Sequence, residues 1–565
     1  MVDKGIATQP RGRGNTGPAN LLSRAGLCAG VESQLPDWDG LARTLGGAPL
    51  IDGEQRERFA SDESIYRRVP LAVVKPANEM DVATTLKFAR QFQLGITARA
   101  GGTSLAGQAV GSGILLDLSN QFEQILEVDV ARESVRVQPG VVLSALNAKL
   151  LAHGKRFGPD PSSMESCRIG GMIANNASGL HHLRWGATVD NLRSLRLMLS
   201  NGDVMVTEPV EVDGPRHRQL CETPGLVGEV WMEAPQVLAK ARASLGASWA
   251  QYEKSSSGYR LDKALEGNVF DPGKLICGSE GTLALVLEAE LAMVEVPSAR
   301  GLLILYFATL EDAARGVEHV LPTKPSAVEL IDENVVTLFR QRRPDLARRF
   351  PDGATCALLI EWMGASNAKV EEGMLAGYRI VREETALAIG DEATTDAGTM
   401  ESIWQLRRGV EPLLSEMAGQ RVPVGFVEDT AVPVARLAEH VRGLYEIFAR
   451  HGLRAAAYGH ASMGHLHVRP FLDLREPKDR ALMQQVAAEV FAHTKRMGGT
   501  MSGEHGDGLL RSEFLKSYFG PAYDAMAQIK QLFDPEGILN PGIKVGAAEG
   551  AMLTHLKAAS ARRGP

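Results

Sequence analysis

The sequence has few of the features that mark membrane, disulfide-rich or nucleic-acid-binding proteins. No run approaches the ~18 apolar residues of a membrane-spanning helix, and the N-terminus has no apolar secretory core. Its five cysteines contain no CxxC pair, which argues against a disulfide framework and a cysteine-held iron–sulfur cluster. A net charge of -7 argues against an electrostatic nucleic-acid binder. We expect a cytoplasmic protein, with peripheral attachment at the inner membrane as the alternative.

The composition is that of a globular protein with a large core. The chain has 565 residues, 44% hydrophobic and 23% charged. At ~150 residues per domain this length suggests three or four units, and two large α/β domains fit it equally well. Residues 1 to about 40 are rich in Gly, Pro and Arg, which predicts a mobile tail, with an Arg-rich transit peptide as the alternative.

A glycine-rich turn follows an early strand. The segment 71–99 reads as strand, helix (Asn78 to Phe92) and strand, and the turn 100–108 (AGGTSLAGQ) comes next. Adjacent glycines let backbone amides approach a ligand, and the Thr and Ser hydroxyls add donors that suit a pyrophosphate. The turn lacks both the GK[ST] ending of a P-loop and the GxGxxG of a Rossmann turn.

A run of small residues, 169–179 (IGGMIANNASG), follows a second loop at 159–163. Such a run cannot fill a core, so it makes room for a flat group against the backbone, with plain tight turns as the alternative. The segments 127–140 and 192–205 read as β-hairpins, the second with an Asn-Gly turn. Residues from about 213 to 260 look like a largely helical insertion.

Histidines cluster in the stretch 458–469, YGHASMGHLHVR. A strand period of two places Leu466 and Val468 on one face and His465, His467 and Arg469 on the other. A turn bracketed by glycines could fold His460 beside His467, and the knot 502–508 (SGEHGDG) then brings a Glu-His pair. Two imidazoles and a carboxylate are a ligand set for a divalent metal, although ordinary buried or surface histidines remain the alternative.

The order of these motifs resembles a known family. RAGGTSLAGQ, DPSS, IGGMIANNASG, RWG and GSEGTL resemble the FAD-binding domain of the vanillyl-alcohol oxidase and p-cresol methylhydroxylase (PCMH) superfamily. GHASMGHLHVRP, SGEHGDG and FDPEGILNPG resemble the FAD-linked oxidase C-terminal domain of D-2-hydroxy-acid dehydrogenases, among them D-lactate and D-2-hydroxyglutarate dehydrogenases.

The resemblance covers roughly residues 45 to 545 and implies an α+β fold. We expect a flexible tail at 1–44, a two-subdomain PCMH-type FAD-binding domain at 45–297, a ferredoxin-like substrate and metal domain at 298–545, and a C-terminal tail at 546–565.

The resemblance also implies the site residues. FAD would be held by Arg99, Gly101, Gly102, Thr103, Ser104, Gly107, Gln108, Ser163, Gly170, Gly171, Asn175, Gly179, Glu280, Gly281, Thr282 and Asn540. His460, His467 and Glu504 would hold a divalent metal, zinc first and manganese or iron as alternatives. Arg407 would bind the substrate carboxylate, with a solvent-facing helical arginine as the alternative. The strand face shared with His467, not the resemblance, adds Arg469, for a second carboxylate, and His465 as substrate candidates. His505, next to Glu504, would act as the base. Covalent attachment of FAD through His181 or His182 is a further alternative.

The implied reaction is FAD- and metal-dependent oxidation of a D-2-hydroxy acid, D-2-hydroxyglutarate or D-lactate, to the 2-oxo acid, with the hydride passing to flavin N5. The alternatives are a non-catalytic or electron-relaying subunit of a glycolate-oxidase-like complex and a metal-independent flavin alcohol oxidase. A homodimer is left open.

Two departures from the family leave the distal end of the substrate undetermined. Arg469 stands where mitochondrial-type D-2-hydroxyglutarate dehydrogenases carry an asparagine, and Glu411 and Val427 replace the Thr and Lys that accompany the carboxylate arginine. HLHVRP and EDTAVP resemble larger bacterial fusions that carry an iron–sulfur domain, whereas this sequence has no cysteine cluster. We therefore expect an external electron acceptor: a separate iron–sulfur protein, an electron-transfer flavoprotein or a quinone.

Overall fold

A small parallel sheet lies near the start of the described chain. In the computed structural model, which describes residues 35–410, 413–414 and 421–557, its strands lie in the order Ala72–Val74, Ile114–Asp117, Ile96–Arg99. The predicted helix is found at Glu79–Gln91, capped by the side chain of Asn78 and buried through Val82 and Leu86. The glycine-rich turn therefore leaves the carboxyl end of a parallel strand, the edge where open α/β sheets bind ligands.

A five-stranded antiparallel sheet packs beside it. Its strands lie in the order Ile125–Asp129, Ser134–Val137, Leu285–Ala292, Leu192–Met198, Val204–Val206. Both predicted hairpins are present in this sheet. Its central strand alternates buried and half-buried residues, as a strand with one face on a core does. The GSEGTL turn directly precedes that strand and so lies close to the other turns.

The run of small residues is helical and does not form the plain tight turns that were the alternative prediction. It forms the helix Ile169–Asn175, which Asn176 ends in a left-handed conformation with φ 51°. Ile169, Met172 and Ile173 bury one side of this helix, and its glycines lie on the other. The prediction that small residues leave room beside the backbone remains compatible with this helix.

The segment 213–260 is helical, as predicted, but it is an integral part of the core. It contains the helices Pro215–Cys221 and Leu226–Leu245. Trp231 and Leu238 on the longer helix share a hydrophobic cluster with residues of the late helix Pro521–Phe533. The end of the segment, from Lys254 onward, is buried.

The C-terminal half is built on a seven-stranded sheet. Its strands lie in the order Ala388–Thr394, Ala299–Phe307, Cys356–Gly364, Ala327–Ile331, Ala455–His460, His467–Leu472, Val422–Pro423. Leu303, Leu305 and Phe307 enter one hydrophobic cluster, and Leu302 and Ile304 enter another. Helices therefore cover both faces of the sheet, which explains why the strand Ala299–Phe307 is apolar along most of its length.

The helices of this half lie between the strands of the sheet along the chain or follow the last of them. They are Leu310–Val320, Glu333–Arg342, Pro344–Ala347, Asn367–Tyr378 with the π-helical Arg379–Glu384, Ala397–Arg408, Leu437–Arg450, Pro477–Arg496, Gly508–Arg511 and Leu515–Phe519. Shorter helices of the first half are Trp38–Thr44, Gly53–Glu57, Leu143–Leu151, His182–Trp185, Leu261–Ala264 and Pro272–Ile276. No described helix is both long and apolar enough to cross a bilayer.

Parts of both predicted tails are ordered, which corrects those two boundaries. Trp38–Thr44 is a helix, and its first residue packs a ring on Phe88 at 5.2 Å. Near the other end, Met552 is buried and its carbonyl accepts a hydrogen bond from the Tyr66 hydroxyl at 2.7 Å. The FDPEGILNPG segment returns to the parallel sheet, because Ile96 exchanges backbone hydrogen bonds with residues 538 and 540. Residues 1–34, which make up most of the predicted mobile tail and of the alternative transit peptide, lie outside the described residues.

Candidate active site

A cavity of about 650 Å³ brings the predicted residues together. Its lining on the N-terminal side includes Arg99, Gly101, Gly102, Thr103, Ser104, Gln108, Ser163, Gly170, Gly171, Asn175, Gly179, Glu280 and Gly281. Its lining from the seven-stranded half includes Arg407, His460, His467, Arg469, Glu504 and His505. Motifs far apart in the sequence therefore share one cavity.

The N-terminal side of this lining, called the glycine wall below, has the shape that a flat cofactor needs. A Cβ added at Gly171 would meet one atom within 4 Å, Ala100 Cβ at 4.0 Å, and one at Gly281 would meet only Ala98 Cβ at 4.0 Å. A side chain at either position would thus extend into the cavity. Gly102, with φ 69°, adopts a left-handed conformation in the turn. These residues fit an FAD lying against the backbone.

Three predicted cofactor residues lie behind this wall, which corrects their roles. Gly107 packs against the Tyr66 ring, and the Thr282 hydroxyl lies 2.7 Å from that of Tyr259. Asn540 donates hydrogen bonds to the carbonyls of Gln108 and Glu280, at 2.9 and 2.8 Å. They hold the turns in place and do not line the cavity.

Two residues of the glycine wall hold the loop that carries the predicted base. Gln108 Nε2 donates to the carbonyl of His505 at 2.8 Å, and Asn175 Nδ2 donates to that of Glu504 at 2.6 Å. The Glu280 carboxylate, fully buried, accepts from the amides of residues 507 and 508 and pairs with Lys544 at 3.0 Å. These contacts position the loop of Glu504 and His505 relative to the glycine wall.

His181, which was predicted as an alternative point of covalent attachment for FAD, also joins the two halves. Each ring nitrogen of His181 lies against a carboxylate, Nδ1 on Asp160 and Nε2 on Glu361. Burial acts to lower the pKa of His181, but these carboxylates outweigh it and raise the pKa to about 9. With both nitrogens engaged, His181 does not fit the role of a flavin tether.

The predicted metal ligands surround one carboxylate oxygen. Glu504 Oε1 lies 3.3 Å from His460 Nε2, 3.6 Å from His467 Nε2 and 3.8 Å from His505 Nε2. Burial and the neighbouring imidazoles hold the pKa of His467 well below its usual range. Burial acts to raise the pKa of Glu504, but Lys254 and His460 hold it well below its usual range. A neutral imidazole and an ionised carboxylate are the forms that bind a metal.

The second oxygen of Glu504 is already engaged. Oε2 accepts a hydrogen bond from Ser178 at 2.9 Å and pairs at 3.1 Å with Lys254, whose side chain is fully buried. Only Oε1 therefore faces the histidines. The donor set fits a divalent cation bound by one carboxylate oxygen and by imidazoles.

A buried carboxylate connects the predicted metal ligands His460, His467 and Glu504, called the metal cluster below, to the predicted substrate arginine. Glu329 Oε1 lies 2.6 Å from His460 Nδ1, and its Oε2 accepts from Arg407 Nε at 2.6 Å. Burial acts to raise the pKa of Glu329, but His460 and Arg407 hold it at about 2. The Arg407 guanidinium also lies over the Tyr458 ring, 4.6 Å from its centroid. The arginine is thus fixed at the cavity wall.

The predicted base is oriented by two adjacent acids. His505 Nδ1 lies 2.9 Å from Glu428 Oε1 and 3.7 Å from Asp429 Oδ1, and the His505 amide donates to Asp429 at 2.9 Å. Burial acts to lower the pKa of His505, but the nearby carboxylates raise it to about 9. Because Nδ1 is engaged, Nε2 is the nitrogen available on the side of Glu504.

His465 does not line the cavity, which corrects its predicted contact with substrate. Its side chain is fully buried, and Nε2 lies 2.8 Å from Asp429 Oδ1. The predicted alternation of side chains does not extend to His465, because regular pairing between the strands Ala455–His460 and His467–Leu472 ends at Tyr458 and His467. Val427 is buried in a hydrophobic cluster, and Glu411 lies outside the described residues.

Sequence reasoning missed the residues that support the predicted ligands. These are Ser178, Lys254, Glu329, Glu428 and Asp429. Two signals were available, because the KSSSGY motif closes the helical segment and the acid pair opens EDTAVP. Neither signal indicates the histidine or carboxylate that each residue contacts.

Comparison with known proteins agrees with this architecture. Residues 70–208 match the family model of an FAD binding domain, and residues 296–543 match that of the C-terminal domain of FAD linked oxidases. The fold resembles p-cresol methylhydroxylase with a TM-score of 0.65 at 14% identity, over 90% of this chain and 96% of that one.

Curated relatives share most of the chain. A D-2-hydroxyglutarate dehydrogenase of Pseudomonas putida is 34% identical over 89% of this chain and 51% of its own length. Glycolate oxidase subunit GlcD of Bacillus subtilis is 29% identical over 84% of this chain and 89% of its own. The chain spans about half the length of the first of these relatives. The predicted resemblance and fold class are confirmed: the chain carries an FAD binding domain followed by the C-terminal domain of FAD linked oxidases.

Proposed function

We propose that this protein oxidises a D-2-hydroxy acid to the 2-oxo acid with FAD and a divalent metal. The observation that carries the proposal is the meeting of three groups at one cavity. The glycine wall fits a flavin, Glu504 Oε1 lies within 4 Å of three imidazoles, and Arg407 lies on the same wall. D-2-Hydroxyglutarate and D-lactate are the candidate substrates.

The metal would be held by His460 Nε2, His467 Nε2 and Glu504 Oε1, with zinc expected first and manganese or iron as alternatives. A divalent cation bound there polarises the 2-hydroxyl of the substrate and lowers its pKa. The protein contributes the pre-arranged donors, because Glu329 fixes the His460 ring while Lys254 and Ser178 fix the carboxylate.

Arg407 would bind the carboxylate next to the reacting carbon. Its planar fork suits a carboxylate, and Glu329 and the Tyr458 ring restrict its orientation. Arg469 lines the same cavity and would bind the distal carboxylate of a dicarboxylic substrate. This arrangement favours D-2-hydroxyglutarate over D-lactate.

His505 would take the proton of the 2-hydroxyl through Nε2. Glu428 at Nδ1 fixes the tautomer and stabilises the imidazolium that forms, as the acid of a catalytic triad does. The nearby carboxylates raise the pKa of His505 to about 9, so its ring carries a proton at neutral pH. A divalent cation bound at Glu504 would lower this pKa and favour the neutral base. Bound FAD supplies the hydride acceptor, and an external partner would reoxidise it.

The test is anaerobic flavin bleaching with a panel of D- and L-2-hydroxy acids and glycolate, before and after a chelator. The proposal predicts bleaching by the D-acid, little by its L-enantiomer, and loss of bleaching on metal removal. Bleaching that survives the chelator would indicate the metal-independent oxidase. No bleaching by any acid would indicate a non-catalytic subunit.

A further inference from the structure

Besides His460, His467 and His505, a fourth imidazole lies near Glu504, that of His465. The ring of His465 lies 5.4 Å from that of His460 and 4.8 Å from that of His467, measured between centroids. One donor atom each of His460, His465 and Glu504 lies within 4.8 Å of the others. His465 is therefore within the spacing of a metal site, although the cavity does not reach it.

The hydrogen bonds of these rings fix which nitrogen is free. Asp429, a buried acid, accepts from His465 Nε2 at 2.8 Å, so a neutral ring carries its proton there and has its lone pair on Nδ1. Glu329 likewise accepts a hydrogen bond from Nδ1 of His460, so a neutral His460 ring has its lone pair on Nε2. A carboxylate on the far nitrogen of an imidazole is the usual support of a metal-binding histidine.

The remaining nitrogen of His465 has no protein partner. Its Nδ1 is buried and has no hydrogen-bond partner among the described residues. A fully buried polar atom normally has a partner, because leaving it unpaired costs stability. A lone pair of this kind, in a ring with no exposed surface, is available to a ligand that is itself buried in the protein.

We propose that His465 Nδ1 is a further ligand of the divalent metal, so that the site holds three imidazoles and one carboxylate oxygen. The inference rests on the proposed function, since it requires the metal. It also states from which side each ligand would approach the ion. His465 would approach from the protein interior, while His467 and Glu504 lie on the cavity side, where the substrate enters.

Two substitutions at this position separate ligation from packing. In His465→Gln the amide nitrogen reaches the place of Nε2 and keeps the bond to Asp429, but nothing replaces Nδ1. In His465→Asn the amide lies at the place of Nδ1 and keeps a donor atom there. We expect the zinc affinity, measured by competition with a chromophoric chelator, to fall about 100-fold in His465→Gln and less in His465→Asn.

The matched control is His493→Gln, another buried histidine, which stacks on His440 at 5.2 Å outside the metal cluster. Its zinc affinity should equal that of the unchanged protein. X-ray absorption of the zinc-loaded proteins should show one imidazole fewer in His465→Gln. The His505→Ala protein, which retains His465, should show three imidazoles at the zinc.

The outcomes are distinguishable. If the unchanged protein binds no divalent metal, the metal part of the proposed function fails. If it binds zinc and His465→Gln binds it with equal affinity and an equal imidazole count, only this inference is overturned. If His465→Gln does not fold, a count of two imidazoles in His505→Ala overturns the inference, and a count of three supports it.

Discussion

Replacing Glu329 by Gln should weaken metal and substrate binding together, although Glu329 is proposed as a ligand of neither. Its carboxylate bonds His460 at 2.6 Å with one oxygen and Arg407 at 2.6 Å with the other. Glutamine keeps the volume but loses the charge, and its NH2 end faces one of the two donors. One charge-assisted hydrogen bond, about 1.5–3 kcal/mol, is therefore lost.

That free energy corresponds to about 10- to 100-fold in a dissociation constant, the usual effect of removing the outer partner of a metal-bound histidine. We expect the zinc Kd and the substrate KM both to rise, by a factor in this range for the partner that loses its hydrogen bond and by a smaller factor for the partner whose bond only loses the charge. Zinc affinity is measured by chelator competition, and KM by flavin reduction at saturating zinc.

The control is Glu361→Gln on the neighbouring strand. Glu361 is equally buried and also pairs with one histidine and one arginine, His181 and Arg300, but it lies outside the metal cluster. This variant should lose stability and keep its zinc affinity. Equal zinc affinity and KM in Glu329→Gln and the unchanged protein would refute the reasoning, as would equal losses in both variants.

Three further predictions concern the base, the cofactor wall and the contact between the two halves. His505→Ala should keep FAD and metal, measured by absorbance and metal analysis, while stopped-flow flavin reduction slows at least ~100-fold; an unchanged rate removes His505 from the mechanism. Gly171→Val should lower the FAD content at an unchanged far-ultraviolet spectrum, whereas Gly47→Val, which faces open space, should not; equal FAD content in both would count against the cofactor wall. His181 should make stability pH-dependent: its pKa, raised to about 9 from an ordinary 6.5, gives up to about 3 kcal/mol that is fully present below pH 6.5 and lost as pH rises through 9. Urea unfolding of the unchanged protein and of His181→Gln at pH 6 and 9.5 checks this, and parallel losses would contradict it.

The sequence predicted well whatever depends on short-range pattern. The helix around Leu86 and the Asn-Gly hairpin at 201–202 have local causes, namely helical spacing with an Asn cap and turn chemistry. The glycine turns were recognisable for the same reason, because adjacent glycines mark positions where backbone must approach a ligand.

What the sequence could not give is the set of partners across the fold. Glu329 reaches His460 from a neighbouring strand 131 residues away, and Lys254 reaches Glu504 across 250 residues. His465 was assigned to the substrate by strand alternation, but the turn after His460 breaks that alternation and buries the ring. Burial of this kind follows from tertiary packing and overrides the local period.

The most direct test of the central claim is an anomalous difference map at the zinc edge from crystals of the zinc- and FAD-loaded protein. We predict one peak about 2.0–2.2 Å from His460 Nε2, His467 Nε2 and Glu504 Oε1, with the flavin ring in the same cavity. A zinc peak elsewhere, or a flavin outside the cavity that these side chains line, would contradict the account.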